Sequence, residues 1–418
     1  MFAQINRHTA TTVGGVAPSS AGRASGAARL AAMAPTLLWA LGVGTLTYRV
    51  ASLWSSHLGL DLRPVYLAGR QLTDHHAIYD VANFVYSPSA ALVLGAPMSA
   101  FGFGVVSHVA LVVGAVLILA TVALAARTVG RSATSFATAI GVVLVCLTGM
   151  VPETLFVENL SIVVAFVGAG AFLAWSRERY WLAGALLGLS VALKPLLLPL
   201  FLGLLVLRRW KTVATAGAVV LVANLAALAI DPRAANGSMR QLVDLLGDRG
   251  DFSGYFALFN SSLVGIGHLL GWARWVTFGL RGVIFATGAV GAAAIWRSRP
   301  EPARSLEAAG LFLACSYLAS SDLEVHWIFA LIPFAYASVL PGSPLRWWPV
   351  AIGGMFASEL VILPQQLTDY GPYGTDTVVR GFGLCLVVVA VGVATVWPPL
   401  RRVAMRRPCR RAARSMKP

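Results

Sequence analysis

The chain has 418 residues, of which 57% are hydrophobic and only 12% are charged, and its formal net charge is +15. Because a soluble domain carries about 25% charged residues, this composition excludes an ordinary water-soluble fold. The basic excess does not indicate nucleic-acid binding either, since 8 of the 32 Lys and Arg residues lie in the last 18 positions and others form short clusters between apolar segments. That distribution is typical of the positive-inside rule, with anionic membrane lipid as a second attraction for the tail.

The apolar segments are long enough to be transmembrane helices. Residues 105–126, 212–230 and 378–397 each supply about 20 mostly apolar residues, enough to cross a hydrocarbon core about 30 Å thick. They are too long for β-barrel strands and lack strict alternation. We therefore predict an all-α integral membrane protein with about 10–12 transmembrane helices.

The N-terminal part predicts a leader, a first helix and a polar loop. Residues 1–32 are rich in small and polar residues and predict a disordered cytosolic leader. Residues 35–53 predict an uncleaved first helix, which places residues 54–86 outside the cytoplasm. Residues 88–100 form a short apolar piece that we expect to enter the membrane without crossing it.

Residues 181–207 form an apolar stretch that Lys194 and Pro195 interrupt. A single crossing would leave Arg208, Arg209 and Lys211 outside, against the positive-inside rule. Two short arms with the break at their outer turn obey the rule, and proline ends the first arm. The sequence therefore predicts a broken pair of helices here.

Nine further crossings complete a topology of twelve. They are residues 105–126, 134–150, 160–175, 212–230, 275–296, 306–319, 327–340, 347–363 and 378–397. Both termini are then cytoplasmic, residues 33–400 form one transmembrane domain, and residues 401–418 form a basic cytosolic tail. Nearly all acidic residues fall on the outer face of the plasma (inner) membrane, which suggests that this face carries the function.

Two charged residues beside apolar segments are the first functional candidates, because such charges are costly in a membrane. Asp61 follows the first helix, and a carboxylate at the mouth of an apolar cavity could take a proton from an acceptor hydroxyl. The alternative is an ordinary loop or helix-capping Asp. Lys194 could contact a lipid phosphate, or it could be a lysine that snorkels to the interface.

Three further polar groups lie at predicted outer helix ends. They are Glu158 with Asn159, Asn260 with Ser261 and Ser262, and Asp322 with Glu324 and His326. Helix capping is the alternative for the first two groups. The third group could bind a polar ligand, and because its spacing matches no metal motif we expect no metal.

The chain has no Gly-rich phosphate loop or Walker motif, so we expect no cofactor and no coupling to nucleotide hydrolysis. An active site on the outer face has no access to cytosolic sugar nucleotides. An activated sugar would have to arrive there on a lipid carrier, which suits a membrane cavity that offers a cation for the carrier's phosphate.

The order of several short motifs resembles that of a known enzyme family. The motifs are DLRPVY at residues 61–66, IYD at 78–80, VYSP at 85–88, ALKPLL at 192–197 and NSSL at 260–263. In this order and at these separations they resemble the family 87 polyprenyl-phosphate-dependent glycosyltransferases of actinobacteria, which have the GT-C fold. The resemblance covers residues 35–400 and is greatest to members that transfer arabinofuranose.

The resemblance implies an inverting transfer of a pentofuranose, arabinofuranose, from a polyprenyl-phosphate donor to a glycan or glycolipid acceptor of the cell envelope. It implies Asp61 as the general base and Lys194, together with Arg63, as contacts of the donor phosphate. Contacts with sugar and acceptor are expected from Tyr66, Tyr86, Glu158, Asn159, Asn260, Ser261, Asp322, Glu324 and His326.

Two alternatives stay open at this point. The first is a mannosyltransferase that uses polyprenyl-phosphate mannose. The second, of a different class, is a transporter or flippase of lipid-linked glycans. Transporters commonly carry paired broken helices in two repeats, whereas this sequence predicts one break, at Lys194 and Pro195. A structural scaffold would leave the clustered carboxylates unexplained.

Overall fold

The computed structural model describes residues 26–56, 59–238, 259–298, 305–360 and 371–397. These residues form helices joined by turns and contain no β-strand. A helix satisfies every backbone N–H and C=O within one segment, as lipid requires. The chain is an all-α integral membrane protein, as predicted. Most of the predicted leader and the whole basic tail lie outside the described residues, and the first helix already begins at Gly26.

The helices are named here in chain order. Those of the first part are α1 (Gly26–Leu53), α2 (Leu62–Thr73), α3 (Pro88–Met98), α4 (Phe103–Thr128), α5 (Phe136–Leu147), α6 (Met150–Val157), α7 (Ser161–Ser176), α8 (Tyr180–Leu193), α9 (Pro199–Val206) and α10 (Trp210–Ile230). Those of the second part are α11 (Leu263–Leu269), α12 (Arg274–Ser298), α13 (Ser305–Ala319), α14 (Val325–Phe329), α15 (Ile332–Ala335), α16 (Trp348–Ala357) and α17 (Gly371–Val396).

Within the described residues, four helices are long and apolar enough to cross a membrane, namely α4, α10, α12 and most of α17. The number rises to six if two bent pairs, α5–α6 and α8–α9, each count as one crossing. Helix α1 has 28 residues but is not among them. The predicted topology of twelve crossings therefore includes several helices of 10–17 residues, such as α7 and α13, that are shorter than a typical full crossing.

Two predicted crossings are wrong as continuous helices. Residues 327–340 are divided among the end of α14, α15 and a 3₁₀ turn, and the described part of residues 347–363, which ends at Leu360, contains a helix of only ten residues, α16. Side chains of the first segment, such as Phe329 and Phe334, are buried inside the protein. Irregular backbone is tolerated at membrane depth when protein surrounds it, and hydropathy alone cannot distinguish that environment from lipid.

The predicted break at Lys194 is confirmed. The chain bends by 120° between α8 and the segment Pro195–Val206, which contains α9. Lys194 at the bend is extended, with φ −151° and ψ 125°. The following proline forces this conformation, because its ring disfavours the helical region for the preceding residue. A second bend of 63° between α5 and α6, at Thr148 and Gly149, was not predicted.

The helices pack in two groups. Helices α4, α7, α8 and α10 form one group, α12, α13, α16 and α17 form the other, and α1 lies against α5. Helices α14 and α15 lie between the groups, where α14 contacts α6 and α7 while α15 contacts α4 and α13. The polar turns before α2, α7 and α14 therefore come together with the break after α8.

Exposed tryptophans mark the ends of several helices. Trp181, Trp210, Trp275 and Trp348 each occupy the first or second position of a helix, and each is more than half exposed. Tryptophan is enriched at the interface between lipid and water, where its ring is apolar and its N–H is solvated. These positions support insertion of the bundle in a membrane.

A glycine contact fixes the segment that precedes α4. A Cβ added to Gly69 in α2 would lie 1.9 Å from the carbonyl carbon of Gly95 in α3. A Cβ on Gly95 would lie 2.3 Å from the carbonyl oxygen of Val65. The two backbones therefore touch, and only glycine permits this approach. The contact sets the position of α2, whose N-terminus bears Asp61.

We expect Gly69→Ala to destabilise the protein by about 1–3 kcal/mol, because the two backbones must separate. Thermal unfolding in detergent would show a lower Tm and a smaller monodisperse fraction. Gly104→Ala in α4 is the matched control, since nothing lies within 4 Å of the added methyl group. Equal Tm values for the two variants would contradict the close contact.

Candidate active site

The backbone before α2 is fastened to the end of α6. The N–H of Gly59 donates to the carbonyl of Phe156 at 3.3 Å, and the N–H of Asp61 donates to that of Val157 at 3.0 Å. Gly59 has φ +56°, and a Cβ there would lie 2.8 Å from Oε2 of Glu158. Asp61 occupies the N-cap position of α2, but its side chain makes no capping hydrogen bond. The carboxylate of Asp61 therefore does not cap α2.

The side chain of Asn159 joins the two principal candidates. Its Nδ2 donates to Oδ2 of Asp61, and its Oδ1 accepts a hydrogen bond from Nζ of Lys194 at 3.0 Å. The same oxygen accepts from the backbone N–H of Ser161 at 2.8 Å. Residues far apart in the chain, one acidic and one basic, are thereby brought to the two ends of one amide.

Lys194 is nearly buried, with 8% of its surface exposed. Its ammonium lies 5.7 Å from the ring centroid of Tyr86, within cation–π range. The hydroxyls of Ser87 and Ser89 donate to the carbonyl of Ala192, which α8 leaves unpaired at its end. Within the described residues Lys194 forms no salt bridge.

His326 connects Asp61 with the acidic turn before α14. Its Nε2 lies 3.1 Å from Oε2 of Glu324 and 4.0 Å from Oδ2 of Asp61. The ring is buried, and within the described residues its Nδ1 has no hydrogen-bond partner. Three titratable groups from two distant parts of the chain therefore share one wall of the site.

The two carboxyls of this turn have opposite pKa shifts. Burial, reinforced by the charge of Glu324, raises the pKa of Asp322 to about 7. Burial would also raise the pKa of Glu324, but the hydrogen bond and charge of His326, with Lys194, outweigh it and lower the pKa to about 2. These shifts make Glu324 the more acidic carboxyl of the pair, and Asp322 the one that keeps its proton to higher pH.

Tyr86 is the neutral member of the site. Its side chain is buried, and burial raises the pKa of its phenol well above the ordinary value, with further contributions from the charges of Asp61 and Glu324. The phenol therefore keeps its proton and remains a hydrogen-bond donor near the two carboxylates.

Asn260 and Ser261 hold the acidic turn in place. Oδ1 of Asn260 accepts a hydrogen bond from the N–H of Leu323 at 2.9 Å, and its Nδ2 donates to the carbonyl of Ser321 at 2.8 Å. The N–H of Ser261 donates to the carbonyl of Leu323 at 2.7 Å. All three contacts are with the backbone of the acidic turn, so the structure shows that Asn260 and Ser261 support this turn. A direct contact of either residue with sugar stays a prediction.

Arg63 and Tyr66 help to dock α2. The guanidinium of Arg63 is exposed and lies 5.9 Å from the centroid of the Phe103 ring. Tyr66 is buried, and its hydroxyl donates to the carbonyl of Phe101 at 2.9 Å. The described contacts place neither side chain against Lys194, and their roles toward phosphate and sugar stay predictions.

Glu158 combines burial with an unusual backbone conformation. It is the C-cap of α6 with φ 55°, and its Oε1 accepts a hydrogen bond from the hydroxyl of Ser107 at 2.5 Å. A left-handed conformation at a buried Glu is uncommon and is often found near functional sites.

An ion pair that the sequence motifs did not indicate lies behind the acidic turn. Arg380 of α17 is buried, pairs with Glu359, and donates to the hydroxyl of Ser261 at 3.2 Å. Both charged residues lie within stretches that the sequence predicted as membrane crossings. A charge inside an apolar segment is a functional candidate by default, and this criterion would have found them.

An apolar cavity of about 520 Å³ leads to the site. It is bounded by α3, α4 and the start of α7, and its only charged or amide side chains in the described lining are Glu158 and Asn159. Val105, Val109 and Val113 line it and are between 46% and 60% exposed, so it opens toward the lipid-facing surface of α4. The cavity thus joins that surface to the Asn159 amide.

The comparisons with known proteins identify relatives along most of the chain. The chain is 28% identical over 346 residues to an alpha-(1→3)-arabinofuranosyltransferase of Mycobacterium tuberculosis, which covers 79% of this chain and 77% of that protein. Proteins of the same name match from Mycolicibacterium smegmatis, at 29% over 379 residues (85% and 84%), and from Corynebacterium glutamicum, at 26% over 355 residues (81% and 81%). No solved structure gives a significant match.

The sequence profile of glycosyltransferase family 87 matches residues 84–321, more than half of the chain. The matched region includes Tyr86, Asn159 and Lys194 and begins after Asp61. The chain therefore belongs to glycosyltransferase family 87 and is a membrane-embedded glycosyltransferase.

Proposed function

We propose that this chain transfers arabinofuranose from a polyprenyl-phosphate donor to a cell-envelope glycan, with inversion at the anomeric carbon. The observation that carries the proposal is the pairing of Asp61 and Lys194 through Asn159 at the polar end of the apolar cavity. The names of the related proteins support the choice of sugar. A polyprenyl-phosphate mannose donor is the alternative.

The cavity and Lys194 together fit a lipid-linked donor. Its apolar walls, open to the lipid-facing surface of α4, suit the first isoprene units of a prenyl chain. Asn159 lines the polar end of the cavity and accepts a hydrogen bond from the nearly buried ammonium of Lys194, which forms no salt bridge among the described residues and suits the donor phosphate. A soluble sugar nucleotide would not need this apolar groove.

The mechanism requires one base and one cation. The Asp61 carboxylate takes the proton of an acceptor hydroxyl while the hydroxyl oxygen attacks the anomeric carbon. The bond between that carbon and the phosphate oxygen breaks, and polyprenyl phosphate leaves with its charge offset by Lys194. Displacement from the opposite face inverts the anomeric carbon, so no carboxylate nucleophile is needed.

The arrangement of charges supports a site on the outer face of the plasma membrane, and a cytoplasmic location of both termini stays a prediction from the sequence. Helix α7 runs from the site at Asn159 to Arg177, and its 16 residues span about 24 Å. Helix α8 runs back from Arg179 to Lys194. The basic turn thus lies at the end opposite the acidic site, and the positive-inside rule assigns that end to the cytoplasm.

Asp61→Asn should lower kcat about 10²–10⁴-fold, because the neutral amide cannot accept the proton. The assay is transfer of labelled pentose from polyprenyl-phosphoryl arabinofuranose to a glycan acceptor, with the mannose-linked donor run in parallel. The control is Asp74→Asn, an exposed residue at the end of α2. Near-normal transfer by the Asp61→Asn variant, with an unchanged Tm, would refute the assignment of Asp61 as the general base.

Lys194→Met should raise KM for the donor and lower kcat about 10²–10³-fold, because the leaving phosphate loses its counter-charge. Steady-state kinetics over a donor series measures both constants. Lys211→Met, at the exposed start of α10, is the matched control and should behave as the wild type. An unchanged donor KM and kcat in Lys194→Met would exclude the phosphate contact.

The raised pKa of Asp322 predicts a pH-dependent stability. The unfolded carboxyl titrates near 3.8 and the folded one near 7, so the folded protein holds the extra proton between these values. Stability therefore falls as pH rises from about 4 to about 7. Asp322→Asn removes this dependence, and its Tm advantage over the wild type should grow across that interval and then level off. A Tm difference between Asp322→Asn and the wild type that stays constant across this pH interval would contradict the raised pKa of Asp322.

A further inference from the structure

We infer that Asn159 is a positioning residue that selects which oxygen of Asp61 acts as the base and keeps the base apart from the phosphate-binding cation. This inference rests on the proposed function and assigns Asn159 a different role from the predicted sugar contact. The amide is 3% exposed, and its two ends contact different parts of the chain.

The orientation of the amide follows from its partners. The Oδ1 atom of Asn159 accepts hydrogen bonds from the backbone N–H of Ser161 at 2.8 Å, from the Ser161 hydroxyl at 2.6 Å and from Nζ of Lys194 at 3.0 Å. A backbone N–H and an ammonium can only donate, so an amide nitrogen cannot take this position. The Nδ2 group must therefore face the carboxylate of Asp61.

This orientation makes the two oxygens of Asp61 unequal. Oδ2 accepts the Asn159 hydrogen bond and lies 4.0 Å from Nε2 of His326. Oδ1 has no hydrogen-bond donor among the described residues, and the Asp61 side chain is 33% exposed. The oxygen that receives the acceptor's proton is thus Oδ1, and the carboxylate is kept from rotating by the contact at Oδ2.

The amide also separates opposite charges. Asp61 and Lys194 form no direct ion pair among the described residues, because the Asn159 side chain stands between them. A direct pair would occupy the carboxylate and neutralise the ammonium, whereas a neutral amide leaves both charges available. The spacing also places the base and the cation at two ends of one group, as an in-line displacement requires.

Asn159→Asp is the sharpest test, because it keeps the size of the side chain. The new carboxylate would pair with Lys194 and face Asp61, so protonation of Asp61 would become easier. The other titratable groups around Asp61 are Tyr86, Glu324 and His326, and they are unchanged. The acid limb of the kcat/KM profile, where activity falls at low pH, should shift to higher pH by at least about one unit. The KM for the donor should also rise.

The control is Asn236→Asp, which adds the same charge at an exposed position after α10. If Asn159 only supported the fold, its substitution would lower Tm and yield. The enzyme that remains folded would then keep the acid limb of the wild type. An acid limb at the wild-type pH in Asn159→Asp would therefore overturn the inference.

A second variant, Asn159→Ala, tests the inference if Asn159→Asp does not fold. Asn159→Ala should lower kcat/KM about 10–100-fold in the wild type, the effect of a lost hydrogen bond to a charged group. In the Lys194→Met background the loss should be several-fold smaller, since part of the effect passes through Lys194. Equal fold-changes in the two backgrounds would mean that Asn159 acts independently and would also overturn the inference.

The outcomes separate this inference from the proposed function. If the wild type transfers no sugar and polyprenyl phosphate does not raise its Tm, the proposed function fails, and the inference fails with it. If the wild type transfers sugar while the Asn159 variants keep its pH profile and show additive losses, only the positioning role fails.

Discussion

The buried amide of Asn159 is the interaction on which the arrangement of the site depends. A buried amide must have partners at both ends, and here the partners come from α2, from the start of α7 and from the break after α8. Three segments that are distant in the chain are thus held in one register. The same contacts that satisfy the amide therefore set the spacing between the Asp61 carboxylate and the Lys194 ammonium.

The site is also built from helix ends. The last carbonyls of a helix have no partner within it, and at membrane depth they must find one in the protein. The carbonyl of Val157 at the end of α6 accepts the N–H of Asp61, and that of Ala192 near the end of α8 accepts the hydroxyl of Ser89. Broken helices therefore supply hydrogen-bond partners that fix the functional loops, and an unbroken span would offer none.

The sequence was informative where one residue type has a strong local consequence. Pro195 predicted the break, and isolated charges singled out Asp61 and Lys194, which the structure brings to the two ends of the Asn159 amide. It was misleading where the environment is decided by tertiary packing: residues 327–340 are as apolar as a crossing, yet they are divided into short pieces inside the protein. The link through Asn159 could not be read from the sequence, because an Asn at a helix start predicts capping equally well.

The apolar cavity opens between exposed valines of α4, on a surface that suits contact with lipid. A prenyl carrier that uses this opening would diffuse in the plane of the bilayer, enter tail and head together, and leave by the same route after losing its sugar. Loading and release then occur in two dimensions, so turnover would follow the surface density of the carrier and the lateral order of the surrounding lipids. The hydrophilic glycan, approaching from the aqueous phase, would meet the carrier only at the boundary between the two media.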